Sequence, residues 1–196
     1  YGTDIDTANV LRAGRSFFDG DYQLSRPPGN FPYEIAAYVL DSVGGAPLLV
    51  LASMVAAAVA LLLLAGLVRR EGHDPLPVLA VVALSPWWWV ASTSTGDYLV
   101  AVALVLAGAH ARLVGRSFIA GVCFGLAIGI RASTVGLVGA WILAEVWRNR
   151  SQLPALLRVG GVTVAVGALC FVPAWLSADQ SFAFVTTETQ VTSLTT

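Results

Sequence analysis

The sequence predicts an all-α, polytopic integral membrane protein: a helix bundle that holds a helical loop against one face of the bilayer. Three observations carry this. Hydrophobic residues make up 57% of the 196-residue chain and charged residues 12%, whereas an average soluble domain is about 25% charged. Uncharged runs over residues 42–68 and 75–96 are long enough for a helix to cross a hydrocarbon core of roughly 30 Å, and the mean hydropathy is +0.75. Polar character is concentrated at the start, where six of the twelve acidic residues fall within positions 1–45.

That opening segment, residues 1–45, reads as a loop on the outer side of the membrane with juxtamembrane helices. Asp6 is placed to cap a helix over residues 7–18. Val10, Leu11, Gly14, Phe17 and Phe18 share one of its faces, while Arg12, Arg15 and Ser16 share the other. Twelve residues are too few to span, so this helix suits the interface, with its two Phe dipping toward lipid. Gly20 ends it. The stretch Ser25-Arg26-Pro27-Pro28-Gly29-Asn30-Phe31-Pro32 cannot be regular structure, because proline removes donors and fixes φ. Pro32 suits the first turn of a second helix, which would stop at Gly44-Gly45.

Residues 46–177 form the expected transmembrane bundle of about six membrane helices. Spans are expected over 46–68, 75–91, 97–114 and 155–177, with a polar turn at 92–96. The Trp87-Trp88-Trp89 triplet suits an interfacial aromatic belt. Arg69/Arg70, Arg112/Arg116 and Arg148/Arg150/Arg158 are three basic clusters that the positive-inside rule puts on the cytoplasmic side. The opening loop, Asp97 and the polar residues 178–196, the start of another outer loop, then fall outside. Only 31 residues separate Arg116 from Arg148, yet both ends are assigned to one side. Two helices of about 15 residues, each about 22 Å long at 1.5 Å per residue, would make a short hairpin over 117–147 that does not cross the core. Arg131 stands at its midpoint. An arginine at that depth is costly facing lipid, so it is expected to face a protein-lined or wet cavity. The chain opens without Met or a signal-peptide pattern, and reads as a fragment of a longer protein with at least one span upstream.

Composition also excludes function classes. With a net charge of −1 the chain is not basic overall and nothing in it points to nucleic acid, and all eleven basic residues are Arg, which removes lysine-nucleophile and Schiff-base chemistry from this segment. Cys123 and Cys170 sit in apolar runs as small core residues, and the isolated His73 and His110 offer no histidine metal site.

The candidate functional residues are few, and each has a plainer use. Asp4 and Asp6 would diverge by about 200° on a helix, so they act together only in an extended or loop geometry. There, one carboxylate could take a proton from an attacking hydroxyl while the other holds a substrate hydroxyl or a divalent cation. The alternative is a solvated loop with Asp6 as a cap. Asp97 is either a helix cap that complements the dipole or part of the same outer cavity. Arg131 is either a helix-end residue bonding carbonyls or an anion site, since its planar fork matches phosphate. Arg26, in the Pro-rich loop, is a second phosphate candidate. Asp19, Asp21 and Glu34 read first as solvated or capping residues.

The order of these features resembles the GT-C glycosyltransferases, in particular the polyprenyl-phosphate-sugar-dependent group that includes the protein O-mannosyltransferases and the lipid A aminoarabinose transferases. The resemblance rests on Asp4-Ile5-Asp6, Gly20-Asp21-Tyr22 and Arg26-Pro27-Pro28-Gly29, then on Ser85-Pro86-Trp87 followed by Asp97, and on Gly125-Leu126-Ala127 leading to Arg131. It covers roughly residues 4–147. Asp-x-Asp stands where many members have adjacent acids, and Arg26 and Arg131 stand where many have Lys.

The resemblance implies a GT-C-like fold in the cell membrane with its active site on the outer side. It implies inverting transfer of a sugar from a polyprenyl-phosphate donor to a hydroxyl of a glycan, lipid or protein acceptor. Asp4 or Asp6 would be the base, Arg131 and Arg26 would bind the donor phosphate, and Asp97, Tyr22 and Glu34 would line the substrate cavity. Two rival readings come from other classes. Short helices around a buried Arg also serve anion sites in secondary transporters and lipid flippases, and a non-catalytic assembly subunit would tolerate loss of Asp4, Asp6 and Arg131.

Overall fold

The computed structural model describes residues 5–177, and the regular structure within them is helical. Asp4 and the polar residues 178–196 lie outside the described residues. The order is α1 (Ile5–Phe18), α2 (Phe31–Arg70), α3 (Leu76–Ala83), α4 (Pro86–Thr93), α5 (Tyr98–Leu113), α6 (Ser117–Ile130), α7 (Thr134–Arg148) and α8 (Leu153–Ser177). It is an all-α membrane helix bundle. Among the described residues, α2 and the helical stretch 150–177 are long and apolar enough to cross a bilayer singly, and α3 with α4 could make a third, broken span.

Local sequence explains most boundaries. α1 begins at Ile5, so Asp6 sits in its first turn rather than at the cap that the sequence suggested. It closes in a Schellman motif: Gly20 has φ +83°, its N–H bonds the Phe17 carbonyl, and the Asp21 N–H bonds that of Ser16. Its two Phe do not simply point to lipid. Phe17 packs edge-on against Phe31, with centroids 5.0 Å apart, and Phe18 lies 5.3 Å from Tyr38, which ties α1 to α2. Across the same contact Gly14 is essential, because a Cβ there would stand 2.4 Å from the Glu34 carbonyl oxygen.

α2 runs for 40 residues but is broken at Gly45, whose φ is 64° and ψ −163°. The stretch 75–91, expected as one span, is instead two short helices bent by 67°. Pro86 has no N–H to continue the α3 ladder, and it forces Ser85 into an extended conformation with ψ 125°.

The core is built on small residues. Gly121, Gly125 and Gly129 recur every four positions on α6 and face α8. A Cβ on them would lie 2.6 Å from Val162 Cβ, 2.6 Å from Val166 Cβ and 2.4 Å from Cys170 Cβ, respectively. Rising numbers on α6 meet rising numbers on α8, so the two helices run parallel, and α7 carries the chain back between them. Such small-xxx-small faces let backbones approach closely where lipid removes the hydrophobic drive for association. On the other side of α6, the Phe124 ring fills the space beside Gly108 of α5. Phe124 is fully buried with Ala120, Ala127, Val159 and Ala109.

The bundle has two chemically different ends. At one, Arg148 Nη2 lies 3.0 Å from Glu71 and Arg112 Nη2 donates to Gln152 Oε1 at 2.9 Å. These contacts bring the three basic clusters together. The C-terminal end of α6, with Arg131, faces the other way.

Candidate active site

At that second end three remote pieces of chain converge: the Pro-rich loop before α2, the residue before α5, and the elbow between α6 and α7. Asp97 is the meeting point. It is only 3% exposed, and although it occupies the N-cap position of α5, its carboxylate makes no cap hydrogen bond. One oxygen, Oδ1, takes Arg131 Nη1 at 2.6 Å, and the other, Oδ2, takes Arg26 Nη2 at 2.5 Å. The buried Asn30 amide approaches Oδ2 at 3.5 Å.

Arg131 is placed by its backbone. It caps the C-terminus of α6 in an extended conformation, with φ −142°, two residues beyond the Gly129 contact with α8. Its guanidinium lies over the Tyr98 ring, 3.7 Å from the centroid, in cation–π geometry. Ala132 and Ser133 make the elbow, and α7 starts at Thr134, where its first N–H groups carry the positive end of a helix dipole.

A second buried carboxylate holds the loop. Glu34 is fully buried and accepts three hydrogen bonds. Tyr22 Oη donates to Oε2 at 2.5 Å, while the Ser25 N–H and Oγ reach Oε1 at 3.0 and 2.6 Å. The single Ser25 hydroxyl proton is shared with Asn30 Oδ1, 3.0 Å away. Burial, and then the Glu34 charge, push the Tyr22 phenol well above its ordinary range. Glu34 is therefore neither a solvated nor a capping residue; it fixes Ser25 and, with it, the neighbouring Arg26.

Between the Pro-rich loop and the elbow that follows α6 opens a cavity of about 260 Å³. Its walls include Arg26, Pro28, Asn30, Arg131 and Ser133. Two guanidinium groups share one carboxylate at its edge, which leaves a net positive site. Arg26 and Arg131 thus come together, and Asp97 joins them as their common counter-ion. Tyr22 and Glu34 stand behind the wall and connect to it through Ser25 and Asn30.

The first turn of α1 belongs to the same end of the bundle. Thr7 Oγ1 and Thr95 Oγ1 are 2.5 Å apart, and the Tyr33 hydroxyl donates to the Thr95 carbonyl. Asp6 is exposed beside them. Asp19 and Asp21 lie at the surface, Asp19 in an i,i+4 contact with Arg15 at 3.6 Å. Among the described residues no three His, Cys, Asp or Glu side chains gather as a metal site.

The model of glycosyltransferase family 87 matches residues 24–195. The chain belongs to glycosyltransferase family 87. Family 87 membership makes the protein a membrane glycosyltransferase, and the matched stretch contains Arg26, Asn30, Glu34, Asp97 and Arg131. Asp4 and Asp6 precede it. Comparison with curated proteins and with solved structures finds no match.

The sequence pointed to Arg26, Arg131 and Asp97 but not to their mutual contact. Asn30 and Ser25 were missed as site residues, because a short polar residue in a Pro-Gly loop reads as turn chemistry. Tyr98 was missed because its position at the start of a span reads as an interfacial anchor.

Proposed function

We propose that this family 87 enzyme takes its sugar, a hexose or pentose, from a polyprenyl-phosphate donor and transfers it with inversion to an acceptor hydroxyl, on the outer side of the cell membrane. One observation carries the proposal: Arg26 and Arg131 flank Asp97 at the edge of the 260 Å³ cavity. A sugar linked to a lipid phosphate is a monoanion. When the acceptor oxygen bonds to the anomeric carbon, the bond from that carbon to the phosphate oxygen breaks. The electron pair leaves on the lipid phosphate, which gains one negative charge. Two fixed guanidinium groups with one shared carboxylate meet that growing charge with net positive potential, and donors already in place need no reorganisation at the moment of reaction.

The acceptor proton needs a base, and Asp6 is the candidate within the described residues. Its helix turn is tied to the turn before Asp97 through Thr7 and Thr95. Asp4 is the alternative from the same acidic pair. Tyr22, Glu34 and Asp97 shape the substrate cavity from behind, the first two by holding the loop and the third by aiming both arginines. The convergence of the basic clusters at the opposite end supports the outer placement through the positive-inside rule. The donor lipid would approach from the membrane, and the GT-C-like arrangement would leave glycan, lipid and protein acceptors as the possible partners.

The test is sugar transfer in membranes with a radiolabelled polyprenyl-phosphate sugar, comparing wild type with Arg26→Ala, Arg131→Ala, Asp4→Ala and Asp6→Ala. Loss of either arginine should reduce transfer by about 10²-fold or more, and loss of the base by about 10²–10⁴-fold. Full activity in both arginine variants would sink the phosphate assignment, and full activity in both aspartate variants would sink the base assignment.

A further inference from the structure

The basic end of the bundle carries a groove remote from the cavity at the other end. Seven arginines gather there, at positions 69, 70, 112, 116, 148, 150 and 158, against Glu71, Asp74 and Glu145. Between the N-terminal end of α6 and the flank of α8 lies a groove of about 590 Å³. Arg116, Ser117 and Arg158 line it together with the apolar Phe118, Ile119 and Val162. Ion pairs among the described residues engage Arg15, Arg26, Arg131 and Arg148, but neither Arg116 nor Arg158.

We propose that this groove holds an anionic phospholipid, its headgroup phosphate between Arg116 and Arg158 and its acyl chain against Phe118, Ile119 and Val162. Charge complementarity selects an anion, because two guanidinium groups with no ion-pair partner among the described residues line one space. The apolar wall selects a lipid over a free ion: Phe118 and Ile119 are 69% and 45% exposed, and an inorganic anion would leave them uncovered. The groove is also built rather than accidental. Gly121 brings α6 so close to α8 that a Cβ would lie 2.6 Å from Val162 Cβ, so the two arginines stand on helices locked to each other. Basic pockets between membrane helices are a recurrent way of recognising lipid headgroups. At 1.5 Å per residue, the 14 residues of α6 separate this groove from Arg131 by about 21 Å, so the lipid here is distinct from the sugar donor.

The experiment uses the full-length protein in phosphatidylcholine nanodiscs with and without phosphatidylglycerol, and reads retained lipid by native mass spectrometry. Wild type should retain phosphatidylglycerol at least about tenfold over phosphatidylcholine, whose choline cation offsets its phosphate, as two arginines worth about 1 kcal/mol each toward a net-anionic headgroup would give. Arg116→Gln/Arg158→Gln should lose that preference, and Ile119→Trp, which fills the groove and keeps both charges, should lose it too. Arg69→Gln/Arg70→Gln removes the same charge from the same end and should keep it. Equal retention of the two lipids by wild type overturns the proposal, as does a preference that survives in either groove variant or disappears in the Arg69/Arg70 control. Displacement of the lipid by millimolar inorganic phosphate would also overturn it, since the site would then recognise the ion alone.

Discussion

Arg131 and Asp97 meet at 2.6 Å although 34 positions separate them in the chain, and the same carboxylate holds Arg26 at 2.5 Å. Asp97→Ala would leave two guanidinium groups facing each other over an apolar substituent. Breaking a fully buried pair costs roughly 3–5 kcal/mol. Here the arginine side chains keep 37% and 21% of their exposure, so water recovers part of that, and the expected loss is about 1–3 kcal/mol. Thermal unfolding of the purified variant measures it. Arg26→Ala combined with Asp97→Ala should cost less than the two single losses added together.

Glu34 and Tyr22 give a pH-dependent prediction. The folded phenol is held above its ordinary value of 10.0 by burial and by the Glu34 carboxylate. The folded state therefore binds the proton more tightly than the unfolded state. This contribution to stability is complete below pH 10 and is lost as pH rises from there through the folded value. Melting temperature should fall more steeply above pH 10 in wild type than in Tyr22→Phe. At neutral pH the Tyr22→Phe variant should be less stable by about 1–3 kcal/mol, because Glu34 Oε2 loses its donor.

Glycine on α6 should be intolerant of even one methyl, while glycine on α7 should accept it. Gly125→Ala places a Cβ 2.6 Å from Val166 Cβ and 2.9 Å from the Thr163 carbonyl, so α6 and α8 must separate. Gly136 has open space around it, and Gly136→Ala should be neutral or should stabilise by about 0.5–1 kcal/mol through helix propensity. Thermal unfolding in detergent distinguishes them. Equal effects would mean that the close helix pairing does not limit stability.

The two ends of the bundle should be reached from opposite sides of the membrane. Gln23 and His73 are both exposed, one beside the cavity loop and the other beside the basic clusters. A membrane-impermeant maleimide should label Gln23→Cys in intact cells and His73→Cys only after the membrane is opened. Labelling of both from one side would overturn the outer placement of the cavity.

Much of this was legible in the sequence because composition and apolar run length are strong signals for a membrane helix bundle. The break at Ser85-Pro86 was written there too, in a proline that a hydropathy reading passes over. Contacts between remote residues were not legible. Asp97 reads as a cap because its local surroundings are those of a cap; only the elbow at Arg131 and the loop at Arg26 turn its carboxylate away from the α5 backbone. Glu34 reads as a first-turn acid, and its burial depends on Tyr22 and Ser25 folding back over it. The glycine spacing on α6 was present in the letters, yet without a partner helix Gly121 and Gly125 are indistinguishable from Gly136 and Gly139.

The glycine repeat on α6 also works as a ruler. Each interval is four residues, or about 6 Å of helix at 1.5 Å per residue, and each mark locks onto α8 through backbone proximity rather than through a particular side chain. Removing residues 122–125 would bring Gly129 into the place of Gly125 with the pairing face preserved. Arg131 would then stand one mark lower, about 6 Å short of Asp97. The length of α6, counted in whole marks, sets the height at which the guanidinium is presented.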